Sequence, residues 1–148
     1  MKIFIKIIIF LYAIFIFNIS DIWANEKIKI GLLVPLTGKD SQIGNSIVKS
    51  IRLAINKIDN PLIEIIPKDT ESNPEITLKK AKELNSEGVK IVIGPVFNKN
   101  LVYLKEIKNM TFLSLTNKLI ENPDNVISAG INSTSQFNTI SEFQKMNE

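Results

Sequence analysis

Apolar residues along the chain fall into two patterns, short continuous runs and longer stretches with a period near 3.6, and the two alternate. Lys27–Val34, KIKIGLLV, is a run that stops at Pro35. A Pro there cannot continue a central ladder, so the run predicts a buried strand. The polar loop Leu36–Gln42 follows. Ile43, Ile47, Val48, Ile51, Ala54, Ile55 and Ile58 then recur at helical spacing, with Lys49, Arg52 and Asn56 opposite them. That predicts one amphipathic helix, closed by Asp59-Asn60-Pro61. Leu62–Ile66 predicts a second strand and Pro67–Ser72 a loop. Asn73-Pro74-Glu75 combines an N-cap, a proline at the first helical position and an acid in the first turn, so a helix is expected from there to Glu87. Gly88 is its stop. Glu75–Lys79 and Lys79–Glu83 are spaced to pair across one turn.

Val89–Ile93 predicts a third strand, ending at Gly94-Pro95. Asn98 can cap a helix that carries Leu101, Leu104 and Ile107 inward. Thr111–Leu115 and Val126–Ala129 predict the fourth and fifth strands. Between them lies a loop, Asn117–Asp124, with a turn of helix expected at Lys118–Glu121. Ser133–Met146 predicts a last helix with Phe137, Ile140 and Phe143 on one side. Strands with continuous apolar cores alternating with helices predict an α/β fold, a three-layer parallel sheet with right-handed crossover helices. Ligands of such sheets bind beyond the carboxyl ends of the strands. Those ends carry Pro35-Leu36-Thr37-Gly38, Lys68-Asp69-Thr70, Gly94-Pro95-Val96-Phe97-Asn98 and Leu115-Thr116-Asn117.

The start of the chain departs from the alternation. Lys2 and Lys6 precede the apolar run Ile7–Phe17, and the polar stretch Asn18–Ala24 ends in a small residue. This three-part layout predicts a secretory signal peptide over residues 1–24, cleaved near Ala24. The alternative is a membrane anchor, for which the run is short against the ~20 apolar residues of a spanning helix. No Cys stands near Ala24, which closes the lipoprotein route, and no internal repeat or low-complexity linker follows.

The chain has 148 residues, room for one ordinary domain. It contains no Cys and no His, which excludes disulfides, thiol catalysis, a Ser-His triad and the usual imidazole metal ligands. Net charge is +3, and removing Lys2, Lys6 and Asp21 with the leader leaves +2. Arg52 is the one Arg among 18 basic residues, a poor repertoire for reading nucleic acid. The abundance of Ile, Lys and Asn reads as codon bias towards A and T. No G-x-S-x-G elbow, phosphate loop or pair of acids after the first strand is present, so an enzyme is not expected.

Residues 28–58 resemble the opening of type I periplasmic binding proteins: Pro35, Thr37, Gly38, Gly44, Ala54 and Asn56 follow the order of the leucine-binding branch. EIIPKDTESNPE (64–75), EGVKIVIGPVF (87–97) and TFLSLTNKLIENPDNVISAGINSTSQ (111–136) resemble later segments of the same family, so the likeness covers essentially all of residues 27–140. It implies a periplasmic binding protein-like fold, with residues 25–131 as its first lobe and residues 132–148 starting a helix towards a second lobe. The second lobe is then missing, as is the chain's later return to the first, so the resemblance describes a truncated gene or a fragment. A lone lobe cannot close around a ligand, and weak affinity is expected. Two branches compete. Amino-acid binders of the branched-chain import type hold the ligand carboxylate with hydroxyl residues after the Gly-Pro strand end, where this chain has Val96-Phe97-Asn98-Lys99; hydroxyls return at Ser114 and Thr116. Activators of penicillin-binding proteins have strings closer to those here. The implied partners are a small-molecule ligand such as an amino acid, with an ABC permease or a cell-wall synthase; no nucleic acid, metal or cofactor is expected, and the chain is expected to be a monomer in the periplasm.

Six residues are candidates for ligand contact, and five of them have a plainer alternative. Asn98 can hold a carboxylate at a helix start or simply cap that helix. Thr37 and Thr116 can donate hydroxyl bonds to a ligand or to their own turns. Asp69 can accept from an ammonium group or serve structure, and one carboxylate makes no metal site. Phe97 can line a cleft or fill the core. Asn117 belongs to the same tip as Thr116.

Overall fold

The computed structural model describes residues 27–117 and 123–146. In chain order the elements are β1 (Ile28–Val34), α1 (Ser41–Ile58), β2 (Ile63–Asp69), α2 (Pro74–Ser86), β3 (Ile91–Ile93), 3₁₀ turns at Asn98–Leu101 and Leu104–Glu106, β4 (Thr111–Ser114), β5 (Val126–Ser128) and α3 (Ser133–Met146). The five strands form one sheet in the order β2-β1-β3-β4-β5, and every neighbouring pair is parallel. This is the α/β parallel architecture expected from the alternation of runs. The leader expected over residues 1–24 and the helical turn expected at Lys118–Glu121 lie outside the described residues.

The step from β1 to β2 crosses the sheet one way, and every later step goes the other way. With right-handed crossovers, α1 covers one face, and α2 and the 3₁₀ turns cover the opposite one. Burial agrees. Leu33, Val92, Phe112 and Val126 join Ala81 and Leu84 of α2 and Leu101, Leu104 and Ile107 of the turns in one core cluster. Leu32 and Val34 are fully buried outside that cluster, on the α1 face, as strand alternation requires. That second face is thinly covered: Gly44 is the one buried residue of α1, while Ile43 is 46% and Ile58 57% exposed. The stripe expected to bury the whole helix is half-buried at Ile47, Val48, Ile51 and Ile55.

The start of α2 follows its sequence signature. Asn73 Oδ1 accepts from the backbone N–H groups of Glu75 (2.8 Å) and Ile76 (3.2 Å), and Pro74 opens the helix. Three expectations need correction. The second strand does not stop at Ile66 but runs through Pro67 to Asp69. The even-numbered residues of β2 face β1, since Thr70 N–H donates to Val34 O (3.0 Å) and Leu62 O accepts from Ile28 N–H (2.7 Å). Pro67, at an odd position of an edge strand, therefore loses no ladder bond. Next, no α-helix begins at Asn98. Leu101, Leu104 and Ile107 are buried as expected of an inward side, but their three-residue spacing is the 3₁₀ period, and the segment forms two short 3₁₀ turns. Lastly, the pairs Glu75–Lys79 and Lys79–Glu83 are not among the ion pairs of the described residues. Glu83 instead takes Lys80 (3.0 Å) from its own helix and Lys68 (3.7 Å) from β2, and Lys68 also reaches Glu87 (2.7 Å). Glu87 is the main cause that holds the Lys68 ammonium above its ordinary pKa.

Candidate functional site

All strands run the same way, so their carboxyl ends lie along one rim. Asp69, the last residue of β2, organises its first part. Its Oδ1 accepts from Leu36 N–H (2.8 Å) and Glu71 N–H (2.9 Å), and its Oδ2 from the Thr37 hydroxyl (2.6 Å). Burial pushes the carboxyl up, but the bonds from the Thr37 hydroxyl and the backbone N–H groups of Glu71, Leu36 and Thr37 outweigh it, and the group sits below its ordinary pKa. These donors leave this carboxylate little capacity for an ammonium group. Asp69 and Thr37 thus clasp the loops after β1 and β2 together. A second clasp joins the same loops, Ser72 Oγ donating to Asp40 Oδ2 (2.7 Å). The sequence reading missed that pair, whose one signal was that both residues follow the ends of adjacent strands.

The middle of the rim is built from backbone. Gly94 has φ +105°, and a Cβ there would stand 2.2 Å from the Leu33 carbonyl oxygen, so only glycine fits where β3 ends against β1. Pro95 O accepts from Leu115 N–H (3.0 Å) and the Ser114 hydroxyl (3.1 Å). Ser128 Oγ donates to Thr116 O (2.9 Å), which ties the tips of β4 and β5. Thr116 is buried and Asn117 exposed. Phe97 is half-buried, with Lys99 Nζ 6.0 Å from its ring centroid. Asn98 is half-buried as the first residue of a 3₁₀ turn and caps no helix, because the residue before that turn, Phe97, holds the cap position and makes no side-chain cap bond.

The structure therefore brings Thr37 and Asp69 into direct contact and sets Phe97, Asn98, Thr116 and Asn117 on the neighbouring tips of the same rim. One residue outside the predicted set stands out. Asn100 is 1% exposed, and neither its amide nitrogen nor its amide oxygen has a hydrogen-bond partner. A concavity of about 520 Å³ opens elsewhere, lined by Lys105, Lys108, Met110, Thr111, Asp124 and Asn125 at the amino ends of β4 and β5. It holds none of the rim residues, and the Asn125 amide is committed to Leu104 O (3.0 Å) and Ile107 O (2.9 Å). The rim remains the candidate site.

The family profile of periplasmic binding proteins matches residues 27–144. The chain belongs to the periplasmic binding protein family. Among solved periplasmic binding protein-like structures it is similar to the leucine binding protein LivK of Thermotoga maritima (23% identity, TM-score 0.55, covering 60% of this chain and 27% of that one). It is similar to a solute binding protein of an ABC transporter from Rhodopseudomonas palustris, solved in complex with 3,4-dihydroxybenzoic acid (26%, TM-score 0.57, 61% and 27%). It is also similar to the C-domain of LpoA from Haemophilus influenzae, a regulator of PBP1A (25%, TM-score 0.55, 70% and 32%). The chain spans about a quarter to a third of these three proteins. Among the described residues no helix is long and apolar enough to cross a membrane.

Proposed function

We propose that this chain is the first lobe of a non-catalytic, exported solute-binding protein, related to amino-acid uptake of the leucine type and serving an ABC permease. In this reading residues 1–24 are a cleaved signal, residues 25–131 form the lobe and the segment from residue 132 leads towards a second lobe. The observation that carries the reading is the rim: a family-wide match over residues 27–144 coincides with short polar loops gathered at the carboxyl ends of all strands. Thr37, Phe97, Asn98, Thr116 and Asn117 would meet the ligand, and Asp69 would act by holding Thr37 and the Leu36 amide in place. Isothermal titration calorimetry of the protein in its longest natural form, against the proteinogenic amino acids, benzoate and 3,4-dihydroxybenzoate, tests this. Saturable heat with an amino acid supports it, and silence across the set overturns it.

A second reading has its own support. The stretch after Gly94-Pro95 lacks Ser and Thr, and the LpoA domain covers 70% of this chain against 60% and 61% for the two solute binders. On that reading the rim is a protein-interaction surface of the penicillin-binding protein activator type. Enrichment of a cell-wall synthase on immobilised protein would favour it over solute binding, and no enrichment would count against it.

A further inference from the structure

Thr37 is exposed on the tip that follows β1, within reach of a ligand at the rim. Both of its hydrogen-bond donors are already spent on one partner. Its hydroxyl donates to Asp69 Oδ2 (2.6 Å), and its backbone N–H also bonds the Asp69 carboxylate. An ionised carboxylate can only accept, so the direction of the hydroxyl bond is fixed. The proton lies between Thr37 Oγ1 and Asp69, and none is left to face outward. The residue before is in the same state, since Leu36 N–H donates to Asp69 Oδ1 (2.8 Å). Beyond the clasp, the Thr37 hydroxyl therefore offers lone pairs alone. Its bond to a carboxylate polarises it and makes its oxygen a stronger acceptor.

The fold holds this polarity in place. β1 and β2 pair in register as far as Val34 and Asp69, which sets the carboxylate beside the turn that follows β1. Leu36 N–H and Glu71 N–H both hold Oδ1, so Oδ2 cannot turn away from Thr37 without breaking two bonds. The adjacent tip has the opposite character. β3 lies next to β1, and its tip carries the exposed Lys99, whose ammonium stands 6.0 Å from the Phe97 ring centroid. Lys99 is in none of the ion pairs of the described residues. Two neighbouring tips thus offer a charge-backed acceptor and a cation.

We propose that Thr37 is a specificity-determining residue that accepts a hydrogen bond from the ligand's ammonium group, with Asp69 as the positioning residue that withholds the hydroxyl proton. The rim then favours small molecules that carry an ammonium beside a carboxylate over organic acids that lack one. This rests on the solute-binding reading above and replaces the donor role expected for Thr37 from the sequence. L-leucine and 4-methylpentanoate test it, since they share a carbon skeleton and differ by the ammonium. Each is titrated at millimolar concentration into the protein in its longest natural form. Dissociation constants are read from the methyl NMR signals of Leu36 and Val96, which flank the two tips. Leucine should bind roughly tenfold more tightly, the effect of one hydrogen bond to a charged group. Thr37→Val removes the oxygen, leaves Asp69 its backbone donors and should erase that preference, whereas Thr37→Ser should keep it. Asp69→Asn sets an amide N–H against Thr37 Oγ1, frees the hydroxyl proton and should also lower the preference. Equal or reversed constants for the two probes would overturn the inference and leave solute binding standing, as would a Thr37→Val protein that binds leucine as the native one does. No saturable shift from either probe would overturn both.

Discussion

The two faces of the sheet are made of the same strands and much the same residues, yet they end differently. On the α2 face, Val92, Phe112 and Val126 stand side by side in register and none is more than 8% exposed. One residue further along each strand, Ile93, Leu113 and Ile127 stand in register on the other face, and the last is 54% exposed. The difference lies in the order of connections. Among the described residues, two successive crossovers in one direction stack α2 and the 3₁₀ turns over the first face, whereas the single crossover in the other direction places α1 on the second.

The largest effect should come from deleting the centre of the covered face. Phe112→Ala is expected to cost about 3–5 kcal/mol, whereas Ile127→Ala should cost less than about 0.5 kcal/mol. Urea unfolding of both variants measures the gap, and equal losses would show that the second face is covered as well as the first. Asp69→Asn removes a charged acceptor from three donors and should cost about 1.5–3 kcal/mol. The sign of its pH dependence follows from the lowered pKa. The stabilisation is present above the carboxyl's unfolded value and is lost as pH falls through the folded one. The native chain should therefore weaken below pH about 4 more steeply than Asp69→Asn does, as thermal melts across that range would show. Asn100→Leu replaces a buried amide that has no partner with an apolar side chain of similar volume, and should raise stability by about 1 kcal/mol. A loss instead would reveal a bond from that amide. Leu53→Ala, on a side chain 70% exposed, should stay within about 0.5 kcal/mol in the same urea assay.

Much of the architecture is legible without coordinates, because local chemistry decides it. Asn73-Pro74-Glu75 starts a helix where it should, and the extent of the last helix is read correctly as Ser133–Met146. What was misread depends on context. Pro67 looks like a strand breaker until β2 is known to be an edge, and the three-residue spacing of Leu101, Leu104 and Ile107 reads as a helix unless the 3₁₀ period is considered. The half-covered face was invisible for the same reason, since an apolar run says that both sides of a strand want cover and not whether cover arrives. At the rim, Thr37 and Asp69 could be picked out singly as polar residues at strand ends, but their bond joins positions 32 apart in the chain, as does that of Asp40 and Ser72. Pairings of that kind are set by β1 and β2 lying side by side, which no local pattern encodes.

Pro67 also governs how the sheet meets other polypeptides. Its missing N–H lies on the outer margin of β2, next to the charged side chains of Glu64 and Lys68, and an incoming strand would find a gap where it needs a donor. At the opposite margin β5 offers only three residues, too short a template to recruit a neighbour. Both margins of the described sheet are thus poor templates for the edge-to-edge strand addition that builds fibrils.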